Sequence, residues 1–468
     1  MSVARHGGWH KRVGALLGHN VAIHDRTDVV ETGVWYETTP AQQGIWVLDK
    51  DEKLRPTYLI PTVLEFTGRV DHPVLVEAVQ AAVGRHPALR SRFRLDVASR
   101  RVRYRTDGPP GEVGFIDSVA DGWTGAELDR LVDVLCWTPF DLADEAQARG
   151  EVIRVDQSRT LLVLTMHHIS FDGWSRHLLV DEIVTNYRRM LAGNLPDRRP
   201  AAHPADLIRP EWRGVSRQAI ADRVAEVAER LRGAPTTVDL PYDRQPSGET
   251  SVIGASLAVE LDPELTGRVM AVAAQEGCTP FMTGVALLAG TLRRRTGQRD
   301  FLFALGWPGR EDPAAAEAVG MFMATLVLRV DLDEATTWRE LLRRARAAAL
   351  AAFVDADVPL DAVAAELNPG RAVMWPPMTP VLVNVDDLPA EIELAPGVRG
   401  GYRATGPVHT KYDLDLFVRL DQGPTGDRLT LSIDYALDLF DSTTIEGLLA
   451  DLRLGALDIA DFTEEPCG

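Results

Sequence analysis

The chain has 468 residues, too long for one ordinary hydrophobic core, so two domains or two lobes are expected. A composition of 45% hydrophobic and 25% charged residues excludes a disordered chain. Against 68 acidic side chains there are 50 basic ones, and the formal charge of -18 sets aside general nucleic-acid binding, which needs a basic face. No apolar run reaches the roughly 18–20 residues of a membrane span. Three scattered cysteines, Cys136, Cys278 and Cys467, suggest no disulfide framework and point to a reducing cytoplasm.

Residues 1–34 read as a flexible extension. The basic start (Arg5, His6, His10, Lys11, Arg12) is followed by a short apolar patch, Val13 to Leu17, with no small-residue cleavage site, so a signal peptide is not expected. His6, His10, His19 and His24 match no zinc spacing. The first lobe is read over 35–210. Thr62 to Phe66 is a strand; Pro73 then opens a helix with Leu75, Ala78, Val79 and Ala82 on one stripe and Gly84 as its stop. Leu161 to Met166 is a continuous apolar run, the pattern of a strand buried on both faces. After a short loop, Ser175 is placed to cap a helix carrying Leu179, Ile183, Tyr187 and Met190.

A connector over 193–213 contains Pro196, Pro200, Pro204 and Pro210 and marks the lobe boundary; the second lobe is read as 211–468. There Ile220, Val224, Val227 and Leu231 mark a helix ended by Gly233, and Thr279-Pro280 opens another running to about Arg295. Phe301 to Leu305, Ala324 to Leu328 and Pro380 to Val385 read as strands. Leu414, Leu416, Val418 and Leu420 alternate with polar residues, the sign of a half-exposed strand, and a final helix spans about Ser442 to Leu454. Each half is mixed α/β. No residue-level repeat relates them.

The chemistry concentrates in His167-His168-Ile169-Ser170-Phe171-Asp172-Gly173, at the end of a buried strand and before a helix. Adjacent strand residues point to opposite sides, so one histidine can face a cleft while the other packs inward. A neutral imidazole accepts a proton from an amine or hydroxyl near neutral pH. Asp172 can pair with a distant arginine or orient a histidine.

Met166-His167-His168-Ile169-Ser170-Phe171-Asp172-Gly173-Trp174-Ser175 resembles the HHxxxDG signature of nonribosomal peptide synthetase condensation domains. Thr39 to Trp46 resembles that family's opening motif, Arg85 to Phe93 its second, and Leu240 to Arg244 its LPxDRP-like connector. Val319 to Leu326 resembles its GxFVNT motif and Asp357-Val358-Pro359-Leu360 a weakened QDVPFE, while Pro139 to Leu142 falls where relatives carry a similar string. Together these cover roughly residues 38–455 in the family's order.

The resemblance implies two chloramphenicol-acetyltransferase-like lobes forming a V-shaped pseudo-dimer around a central channel. It implies no bound cofactor or metal, with substrates delivered on the phosphopantetheine arms of a donor peptidyl carrier protein and an acceptor carrier, or a free small-molecule acceptor. The protein would act as a monomer in peptide antibiotic and other secondary metabolism. His168 is the implied base and His167 its inward neighbour. Asp172 is read as structural, paired with Arg90 or else Arg85, and the Gly173 N–H as a donor to the developing oxyanion. Ser170, Trp174, Gly320, Phe322, Ala324 and Thr325 are assigned to the channel, with Trp174 leaning toward core packing.

Met166 stands where dehydrating relatives carry a third histidine, which speaks against that activity. Met323-Ala324-Thr325 replaces Val-Asn-Thr, so substrate or donor geometry is expected to be unusual. No phosphopantetheine-attachment string or adenylation loop is found, and the chain reads as free-standing. Two rival readings share the signature: an acyltransferase using a coenzyme A thioester or a free acceptor, and a non-catalytic module that docks carriers.

Overall fold

The computed structural model describes residues 34–461 apart from 120–121, 208–216, 236, 247–251, 333–336, 368–377, 387–388, 390, 407 and 424–425. The four N-terminal histidines, Pro210 and Cys467 lie outside the described residues. Contacts divide the chain into two compact units. One comprises residues up to 210 with 310–322 and 389–406; the other comprises 211–309, 323–388 and 407 onward. The sequence alone reads 211–468 as one lobe, but two of its segments are built into the first unit. The segment Val398–Tyr402 joins it as a strand antiparallel to Leu59–Thr67, with Gly400 opposite Phe66.

The first unit is organised by a six-stranded sheet in the order Ile392–Ala395, Val398–Tyr402, Leu59–Thr67, Arg159–His167, Ala148–Arg154, Val113–Asp117; only the last pair is parallel. A three-stranded sheet (Tyr36–Glu37, Arg101–Arg105, Arg92–Asp96) stands beside it in the chain. The apolar run in Arg159–His167 has its cause in helices covering both faces. Leu162 and Leu164 pack with Leu75 and Val79 of the helix His72–Arg85 and with Leu179 and Ile183 of the helix Gly173–Leu191. Leu161 and Val163 pack with Leu131 and Leu135 of the helix Gly125–Trp137 on the other side. Gly84 does not stop its helix. The stop comes two residues later at His86, held extended (φ -88, ψ 112) ahead of Pro87, whose ring excludes the helical conformation from the residue before it.

The second unit contains a seven-stranded sheet, ordered Ala324–Asp331, Asp300–Trp307, Val381–Val385, Leu414–Asp421, Arg428–Ala436, Ile253–Leu261, Val408–His409. Val285 and Leu288 of the helix Pro280–Thr296, and Ile445, Leu448 and Leu452 of the helix Ser442–Ala460, share one core with Leu414, Leu416 and Val418. Thr279 caps its helix by accepting the Met282 N–H, and Gly297 ends it at φ 75. A further helix, Trp338–Val354, runs through an Arg/Ala-rich stretch that the sequence reading passed over. Among the described residues no helix is long and apolar enough to cross a membrane, and no cluster of three His, Cys, Asp or Glu is placed to hold a metal. Cys136 and Cys278 are buried and unpaired, their thiols pushed up by desolvation to about 12 and about 11.

The alternation in Leu414–Asp421 does not mean a solvated second face at its start, because Asp415 is buried as well and lies directly opposite Asp434 on the neighbouring strand. Two like charges there cannot both be held cheaply. Burial pushes Asp415 well above the usual carboxylate range, with Asp434 adding to it, and burial raises Asp434 to about 6. Both carboxyls hold protons more tightly folded than unfolded. Their contribution to stability is therefore whole below the ordinary carboxylate range; the Asp434 part is lost as pH rises through about 6, and the Asp415 part as pH rises well above the ordinary range. Wild-type protein should melt lower at about pH 8 than at about pH 5, and Asp415→Asn should flatten that slope. Equal slopes in thermal melts of the two proteins would discard the account of two buried, protonated carboxyls.

Candidate functional site

The strand Arg159–His167 delivers the histidine pair to the edge of the first unit's core. The ladder continues one residue further, with His168 N–H donating to Tyr58 O at 2.8 Å, before Ser170 N–H closes a turn on His167 O at 3.0 Å. The helix then starts at Gly173, one turn earlier than a Ser175 cap would allow. Its cap is Asp172, whose Oδ1 accepts the Ser175 N–H at 2.9 Å. A carboxylate at that end also meets the positive pole of the helix.

The two histidines are set differently. His168 is 9% exposed, and its Nδ1 lies 2.9 Å from Phe171 O. A carbonyl oxygen only accepts, so Nδ1 carries the proton and the basic lone pair of the neutral ring is on Nε2. His167 is fully buried. Its Nδ1 accepts the Ile169 N–H at 3.1 Å, so its proton is on Nε2, 3.5 Å from Asp49 Oδ1. The rings of Tyr58 and Phe140 pack against it. The two rings thus carry opposite tautomers, His168 with its lone pair on Nε2 and His167 with its proton there.

The partner of Asp172 is neither Arg90 nor Arg85. Arg85 pairs with Glu182 at 3.0 Å and donates to Arg199 O at 2.9 Å. The Asp172 carboxylate meets Arg310, whose Nη2 lies 2.8 Å from Oδ1 and 3.0 Å from Oδ2. Arg310 Nη1 donates to Ala315 O and Ala318 O, each at 2.5 Å, and its guanidinium lies 4.4 Å from the Phe322 ring centroid. Burial pulls the Arg310 pKa down and the Asp172 carboxylate pulls it back. Both side chains are 2% exposed. The sequence concealed this pair because 138 positions separate its members. The local sign was an arginine directly after Pro308-Gly309, just upstream of the Val319-Gly320 motif.

That motif is drawn into the same network. Phe322 N–H donates to Asp172 Oδ2 at 3.0 Å, and Gly320 N–H donates to Ser175 Oγ at 3.0 Å. Ser175 Oγ stands 2.7 Å from Asp172 Oδ1 and 3.0 Å from Gly320 O, its single proton serving one of them at a time. Trp174 is half-buried and its Nε1–H donates to Ala316 O at 3.0 Å. Ser170 is 2% exposed, packed rather than lining an opening. Gly173 is exposed, and a Cβ added there would meet nothing within 4 Å. Ala324 and Thr325 begin a strand of the second unit, opposite Trp307 and Gly306, and are not part of this network. Gln42 was missed as a site residue: its Nε2 donates to Ile169 O at 2.8 Å and ties the opening motif to the histidine turn.

Comparison with known proteins agrees with these motifs. The family model described as Condensation domain matches residues 34–468. The chain is 31% identical to the isonitrile lipopeptide synthase of Mycobacterium tuberculosis over 442 residues, covering 91% of this chain and 17% of that protein. Across eight curated relatives it spans between 5% and 39% of their length. Among solved structures it is similar to the first condensation domain of the CDA synthetase, with a TM-score of 0.76, 21% identity, and 93% and 98% of the two chains covered. It is equally similar to the starter condensation domain of rhizomide synthetase, mutant R148A, in complex with C8-CoA. There the TM-score is 0.76 and the identity 19%, with 92% and 96% covered.

Proposed function

This chain belongs to the condensation-domain family, and from that premise we propose that it joins a carrier-bound acyl or aminoacyl thioester to an acceptor amine or hydroxyl, forming an amide or an ester. The observation that supports the reading is the hydrogen bond from His168 Nδ1–H to Phe171 O, which leaves the neutral ring's basic lone pair on Nε2. The acceptor nitrogen or oxygen attacks the thioester carbonyl, and its proton passes to His168 Nε2. As the carbon–sulfur bond breaks, that proton goes on to the departing phosphopantetheine sulfur, so the arm leaves as a thiol. The first N–H groups of a helix have no partner within it, and Gly173 N–H is the donor we assign to the oxyanion.

The phosphopantetheine belongs to the partners, a donor peptidyl carrier protein and an acceptor carrier or free small acceptor. The enzyme itself acts as a cytoplasmic monomer. The second reading is an acyl-coenzyme A donor, since the rhizomide relative is described with C8-CoA. Offering one acyl group on a carrier and on coenzyme A, and following product by mass spectrometry, separates the two; equal turnover with both would end carrier dependence. Gly173→Leu tests the open face over the helix start. With nothing within 4 Å of the added Cβ, the melting temperature should hold, while turnover drops by at least about tenfold as the arm is displaced. Unchanged turnover would take the arm away from Gly173.

A further inference from the structure

Asp49 caps the carboxyl end of the helix Pro40–Leu48, where backbone carbonyls already gather negative charge, and it is 5% exposed. Both placements disfavour an anion, so stability does not account for it. Two groups offset the cost. Arg55 Nε lies 3.4 Å from Asp49 Oδ1, with Arg55 Nη2 donating to Phe140 O at 2.5 Å, and His167 Nε2 lies 3.5 Å from the same Oδ1. With Nδ1 accepting the Ile169 N–H, the His167 proton is on Nε2, at ion-pair distance from that carboxylate and outside hydrogen-bond geometry.

Ile169, next in the chain after His168, is therefore held twice: its N–H by His167 and its C=O by Gln42 of the same helix. A carboxylate on His167 Nε2–H favours the tautomer whose Nδ1 can accept from Ile169. Replacing it with an apolar group removes the acceptor on the Nε2 side, so that the Ile169 N–H must hold the tautomer without it, and any ring with its proton on Nδ1 would oppose that N–H and push the turn apart. His168 sits on that turn.

We propose that Asp49 is a positioning residue, holding His167 in its Nε2–H tautomer and through it the backbone turn that aims His168 Nε2 at the acceptor. The inference rests on the proton-accepting role assigned to His168 above.

The test uses the full chain with 15N-labelled histidine, comparing wild type, Asp49→Leu (the same branching, though larger) and Asp49→Asn, which keeps an acceptor oxygen. The wild-type His167 ring should show the signature of a neutral Nε2–H imidazole. In Asp49→Leu that signature should mix or invert, and kcat for product formation should fall roughly 10²-fold at nearly unchanged KM, since misplacing a reacting group by about an ångström costs that much. Asp49→Asn should restore most of both. A wild-type tautomer signature or wild-type kcat in folded Asp49→Leu overturns the proposal, as does an Asp49→Asn protein no better than Asp49→Leu. Should Asp49→Leu not fold, Asp49→Ala takes its place with the same readouts. Wild-type protein that makes no product with any donor overturns the condensation reading, while the tautomer signature, read without substrate, still decides for or against Asp49.

Discussion

His168→Ala is expected to fold like the wild type and to lose product formation by about two to four orders of magnitude, the range for removing a general base. The structural loss is small. The ring makes a hydrogen bond to Phe171 O, and a typical bond of this kind is worth about 1 kcal/mol net. The chemical loss is large because no second ring can substitute: the His167 Nδ1 lone pair is committed to Ile169 N–H inside the core. Circular dichroism and a thermal melt establish folding, and intact-mass spectrometry of a loaded carrier counts product. If folded His168→Ala retained more than about a tenth of wild-type turnover, His168 would be a positioning group and the proton would leave by another route.

Arg310→Ala should have the largest effect on stability. It strands the Asp172 carboxylate in the core and orphans the carbonyls of Ala315 and Ala318. Removing one partner of a buried ion pair costs about 3–5 kcal/mol. For a unit of this size each kcal/mol corresponds to roughly 2–4 °C, so the melting temperature should fall by roughly 6–20 °C. Asp172→Ala should fall comparably, and it also removes the helix cap at Ser175 N–H. Arg310→Lys is the sharper control. It keeps the charge but not the fork that spans Asp172 and two carbonyls, so it should recover only a minor part of the loss. A soluble, half-active Asp172→Ala with a near-wild-type melt would show that this pair does not hold the turn.

The same pair shows where reading the sequence stops. A buried charge must be paired, so Asp172 could be assigned an arginine from its place in the motif alone. Which arginine was not decidable, because Arg90, Arg85 and Arg310 are alike in one dimension. The true partner arrives from a segment that belongs by chain order to the second half and by packing to the first unit. The helix cap was misplaced for a related reason. Ser175 and Asp172 are both good caps, and the difference lies in the backbone at Asp172 (φ -128, ψ 174), which the string does not display.

By itself the sequence determined the local elements and the chemistry they carry, since periodicity, caps and the HHxxxDG string are interactions between near neighbours. That is why the strand around Leu161–Met166 was legible from its residues, whereas the choice of His168 over His167 came from the resemblance to condensation domains. Only the tertiary structure decided who holds whom: Arg310 on Asp172, Gln42 on Ile169, Asp49 beside His167, Asp415 against Asp434. Those contacts join residues far apart in the chain, and their energy depends on burial and on distances of about 3 Å, which no spacing along a sequence encodes.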